Sequence, residues 1–138
     1  VNVGGVLCDA FGRVRDEVHG VLEGLEPDQL TYRPAPGANS IAWLVWHLTR
    51  VEDDHVAALA GTGQRWLEGR GSERFALPFD EVATGYGQGP AEVGSVRPSS
   101  GALLAGYHDA VHAETVGFLA SIEPGALDRV VDRSGGPP

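Results

Sequence analysis

The stretch Ser40–His55 constrains the fold more than any other part of the chain. Asn39 or Ser40 can cap the exposed amides of a helix start. Apolar residues then recur at Ile41, Leu44, Val45, Leu48, Val51 and Val56, the spacing of one helical face. The same pattern predicts two further helices. One covers about residues 4–24, with Leu7, Phe11, Val14, Val18, Val21, Leu22 and Leu25 on its buried side and Gly24 and Pro27 as its stop. The other starts after Pro98, capped by Ser99 or Ser100, carries Leu103, Leu104, Tyr107, Val111, Thr115, Phe118, Leu119 and Ile122, and is closed by Pro124-Gly125.

With 138 residues there is room for one domain around one core. About 37 residues separate the second and third helices, and glycines from Gly61 to Gly94 break every periodic run there. Yet Trp66, Phe75, Leu77, Phe79, Val82 and Tyr86 are too apolar for a free linker. The segment reads as a packed loop over one end of the bundle with a short helix at Pro90 to Val96, or as an ordinary surface connection.

Composition excludes several classes. A net charge of −9 argues against a nucleic-acid surface, which needs basic groups for phosphate. No apolar run approaches the roughly 20 residues of a membrane span, and no secretory leader is visible. No nucleic-acid or membrane partner is expected, and the cytoplasm is the expected location. The single Cys8 excludes an internal disulfide and a thiolate-rich zinc site. Beside Leu7 and Phe11 it reads as a small core residue rather than a nucleophile. All ten basic residues are arginine, the bias of a GC-rich, actinobacterial coding background. The absence of Met and the connector-like Asp132-Arg133-Ser134-Gly135-Gly136-Pro137-Pro138 suggest truncation at one or both ends.

Histidines carry the candidate chemistry. His47, flanked by Trp43 and Trp46, stands at the margin of a core-facing stripe, where a neutral imidazole can ligate a metal. His108 and His112, four apart on the third helix, project from one face and can grip one ion. With His47 they would make a three-histidine site having an open position for water or substrate; such pairs also arise by chance. His55 is about 12 Å from His47 along the helix axis, too far to share an ion. Asp54 lies roughly on the His47 side as a polar wall or outer contact, and Glu52-Asp53-Asp54 also reads as a solvated face. Trp46 is a candidate stacking surface or a core residue. Arg50 could steer an anion or sit in a surface salt bridge.

The order Trp43-x-x-Trp46-His47-Leu48-x-Arg50-x-x-Asp53-Asp54-His55 resembles the second helix of the DinB-like family. Supporting pieces are Phe11-Gly12-Arg13-Val14-Arg15, Tyr32-Arg33-Pro34, Phe75-Ala76-Leu77-Pro78-Phe79, Thr84-Gly85-Tyr86-Gly87 and Tyr107-His108-Asp109-Ala110-Val111-His112. These make the chain similar to the actinobacterial branch. The resemblance implies an all-α, up-down four-helix bundle with a long loop between helices 2 and 3. It also implies a divalent ion, zinc or nickel, and a homodimer. The residue matching His47 is a ligand in that family, and the other two ligands come from the fourth helix, as a His, Glu or Asp four residues before a His. No such helix is visible in this sequence. Either those ligands lie outside it, which is favoured, or His108 and His112 replace them. Family members with known activity use the metal to activate a low-molecular-weight thiol, mycothiol in an actinobacterial member, for transfer to a small electrophile or for isomerisation. The competing expectation is a non-catalytic bundle acting through dimerisation or stress-related binding.

Overall fold

A computed structural model describes residues 2–129 and 131, and every regular element among them is helical. Three long helices, α1 (Val3–Leu22), α3 (Ile41–Ala60) and α7 (Gly101–Ala120), form the frame. Short helices α2 (Pro27–Leu30), α4 (Arg65–Glu68), α5 (Gly71–Arg74) and α6 (Pro90–Ser95) lie in the connections, and a 3-10 turn spans Pro124–Asp128.

Local chemistry sets the helix ends. Asn2, Ser40 and Ser100 each accept a backbone N–H from three residues on, at 2.7, 3.0 and 3.3 Å. Of the paired cap expectations, therefore, Ser40 and Ser100 are the residues that serve. Gly61 ends α3 in the left-handed conformation, at φ 72°, where a Cβ would be strained.

Packing places α7 against both α1 and α3, while α1 and α3 barely touch each other. The core gathers Val18, Leu22, Leu30, Ala42, Trp46 and Trp66 with Leu104, Tyr107 and Val111. The face expected to be buried on α1 is only partly so. Val18 and Leu22 are inside, but Val14 and Val21 remain 39% and 45% exposed. Both line an open apolar groove between α1 and α3, together with Ile41, Leu44 and Leu48. Apolar periodicity identifies a face that can be buried; whether something covers it depends on a neighbour. The fourth long helix of the expected bundle has no counterpart among the described residues, and the expected connector at 132–138 lies outside them.

The connection between α3 and α7 differs from the expected loop in two ways. Besides α6, foreseen at Pro90, it contains α4 and α5. It also runs along the flank of α3 rather than over one end of the bundle. Its side chains and backbone groups meet α3 in reverse order, Gln64 at Asp54, the Arg65 and Trp66 amides at Asp53, Ala83 at Arg50, Thr84 at His47 and Gln88 at Trp43. No helix among the described residues is long and apolar enough to cross a membrane.

Candidate metal-ligand site

His47 occupies the middle of that antiparallel seam. Its Nδ1 lies 2.6 Å from the carbonyl oxygen of Thr84. A carbonyl can only accept, so Nδ1 carries the proton and Nε2 keeps its lone pair when the ring is neutral. The ring stacks on Trp43 with centroids 4.6 Å apart and planes 17° from parallel. Trp43 is in turn held by its indole N–H, which donates to Gln88 Oε1 at 3.0 Å. Gly85 allows the loop to come this close: it sits at φ 97°, and a Cβ there would fall 2.6 Å from His47 Nδ1. The half-buried imidazole is thus fixed in tautomer and orientation by backbone, ring and turn together. An N–H held by a backbone carbonyl is the usual outer contact of a metal-ligating histidine.

His108 is placed differently. It is fully buried, with Nδ1 2.9 Å from Thr49 Oγ1, and that hydroxyl also lies 2.8 Å from the carbonyl oxygen of Val45. The assignment satisfying both contacts has Thr49 donating to Val45 and accepting from His108 Nδ1–H. His108 Nε2 is then a lone pair with no partner, buried, and the half-buried His112 has a buried, unpartnered Nδ1. Desolvation, reinforced by nearby His112, pushes the His108 pKa down to about 4, so the ring is neutral at physiological pH.

The structure does not bring the three candidate histidines together. Residues 47 and 49 point about 200° apart around a helix. Thr49 faces His108, whereas His47 faces Thr84 in the loop, so the two rings lie on different sides of α3. No group of three His, Cys, Asp or Glu side chains suited to a metal occurs among the described residues. His55 is exposed and lines a second apolar groove, bounded by α1, α3 and α7. Cys8 is half-buried, its thiol 3.9 Å from the Val116 carbonyl.

The three candidate substrate residues serve mainly to attach the loop. Arg50 is 0% exposed, neither a free cation nor a surface ion pair. Its guanidinium donates to Ala83 O at 3.0 Å, Val82 O at 3.1 Å and Gln64 Oε1 at 2.7 Å, and packs over Trp66 at 5.5 Å. Asp54 is half-buried and accepts from Gln64 Nε2 at 2.9 Å. Trp46 is wholly buried, edge-on to Trp66 and tilted against Phe79, so it offers no stacking face.

Asp53, read from sequence within a solvated run, is the residue that reading missed. It is 3% exposed and accepts from the backbone N–H of Arg65 and of Trp66, each at 2.8 Å, and from the Tyr107 hydroxyl at 2.7 Å. Arg50 Nη1 lies 3.8 Å from its Oδ2. The only local signal for this was the i,i+3 spacing of Arg50 and Asp53. Burial, followed by the Asp53 charge, pushes the Tyr107 pKa upward, keeping the hydroxyl a donor.

Two comparisons bear on this arrangement. A family model described as the DinB superfamily matches residues 10–138. The crystal structure of a conserved protein from Enterococcus faecalis superimposes with a TM-score of 0.88 at 26% identity, over 96% of this chain and 78% of that one. No curated protein matches the chain.

Proposed function

The chain belongs to the DinB superfamily, and from that premise we propose that it binds a divalent metal ion, zinc or nickel, at a site centred on His47. The observation that carries this reading is the His47 ring itself. Thr84 holds its Nδ1 proton and Trp43 holds its plane, leaving Nε2 as a pre-oriented neutral donor. An imidazole suits either metal. His47 is the one ligand assigned here; the rest of the donor set is not assigned to described residues, among which no three-ligand group occurs.

On this reading the protein is a thiol-dependent S-transferase acting on a small electrophile, with mycothiol as the thiol. When bound, the ion would supply Lewis acidity, which lowers a thiol's pKa near neutral pH. The chain's own residues provide support. The Thr84–Gly85 turn fixes the ligand ring, and Arg50, Asp53 and Gln64 clamp the loop that carries it. Because Arg50 is committed to that clamp, recognition of an anionic thiol falls to other groups.

A second reading, a non-catalytic protein acting through dimerisation, is favoured by the apolar groove of Val14, Val21, Ile41, Leu44 and Leu48, a surface suited to a helix of a second copy. Elemental analysis of the full-length protein, purified without chelators or a His-tag, separates the two. About one zinc or nickel more per chain in the wild type than in His47→Ala supports the metalloprotein. Equal metal content in the two proteins after reconstitution, with a dimer that persists in chelator, supports the interaction reading.

A further inference from the structure

We propose that His108 and His112 form a second, independent site, a two-imidazole clamp for a divalent transition-metal ion. Three observations support it. The rings stand four residues apart on α7, which brings their Cβ atoms to within about 6 Å. His108 Nε2 and His112 Nδ1 are both buried and have no hydrogen-bond partner in the protein, a costly state for nitrogen unless another group engages them. His108, fully buried, is held by Thr49 in the tautomer that leaves Nε2 with a lone pair.

Its surroundings tolerate a cation. Arg15 and His19, from the facing helix α1, are both engaged by Asp109 Oδ1, at 3.1 and 2.7 Å. That carboxylate offsets the charge next to the pair. No third protein ligand gathers there among the described residues, so the two imidazoles are the ligands assigned to the ion. Two imidazole nitrogens favour copper(II) over nickel(II) and zinc(II), in the ordinary order of divalent affinity. The site is separate from His47, which faces the opposite side of α3.

The test uses the full chain carrying His47→Ala, stripped with chelator and then titrated with copper(II), nickel(II) or zinc(II) by calorimetry. One ion per chain is expected, with copper held most tightly and at least tenfold weaker binding in His47→Ala/His112→Gln. The copper(II) resonance spectrum should show coupling to two nitrogens, reduced to one by the second substitution. His112 is half-buried, and far-UV circular dichroism checks that the double variant folds. A measurement without that variant is paramagnetic broadening of imidazole signals in His47→Ala, expected at His108 and His112. No ion bound in His47→Ala, binding unchanged by His112→Gln, or broadening confined to His19 or His55 would overturn the proposal. Failure here leaves the His47 reading intact, because that reading depends on metal lost between wild type and His47→Ala.

Discussion

Asp53→Ala should be the most damaging single change along the α3–loop seam. It deletes the acceptor for the Arg65 and Trp66 amides and the Tyr107 hydroxyl, and it removes the carboxylate nearest Arg50. Asp53 and Arg50 are almost completely inaccessible, so water cannot replace what is lost. Breaking a buried ion pair from one side costs about 3–5 kcal/mol, since the remaining charge is stranded. Against a whole-domain stability of about 5–15 kcal/mol, that leaves the variant marginal. Asp53→Asn is the gentler probe. It keeps the shape and one acceptor oxygen but turns an amide NH2 toward donors, at a cost of about 1–3 kcal/mol. Urea melts followed by far-UV circular dichroism give the loss for each variant. Limited proteolysis between α3 and α7 then reports whether the loop detaches before the bundle unfolds. An Asp53→Ala protein within about 1 kcal/mol of wild type would refute the anchoring argument.

Two other perturbations probe different parts of the molecule. Gly85→Ala combines a left-handed φ with a Cβ 2.6 Å from His47 Nδ1, so it should cost about 1–3 kcal/mol. It should also free the His47 ring, visible as a changed imidazole signal and as weakened metal uptake; an unchanged ring signal would sink the seam geometry. Burial raises the Glu52 pKa, partly opposed by the Thr115 hydroxyl 2.7 Å from its Oε2 and assisted by the Asp53 charge. The native state therefore holds that proton more tightly than the unfolded chain. Glu52 contributes stability below its unfolded pKa and loses it as pH rises through the folded one. Glu52→Gln, which retains an acceptor for Thr115, should be more stable than wild type at neutral pH. Its advantage should shrink as pH falls through the carboxylate range; urea melts across that range that show a constant difference would contradict this.

Sequence by itself determined the all-helical class, the three long helices and their ends. A 3.6-residue apolar period, a serine cap and a glycine stop are local properties, readable without knowing the neighbours. The start of α6, with Pro90 in its first turn and the Gly89 N–H donating to Glu92, is local in the same sense. The same letters could not say which apolar face is covered: Val14 and Val18 are both apolar positions of the same helix, but Val18 is 3% exposed and Val14 39%. Nor could they separate His47 from His108, because the sides those rings occupy depend on Thr84 and Thr49, 37 residues after one and 59 before the other. Arg50 and Asp53 read as surface charges because charged side chains are rarely buried without partners. Their partners are backbone amides and carbonyls of the loop, and a backbone group has no sequence signature. Only the tertiary structure, by laying that loop antiparallel along α3, turns two expected surface charges into the clamp that holds His47 in place.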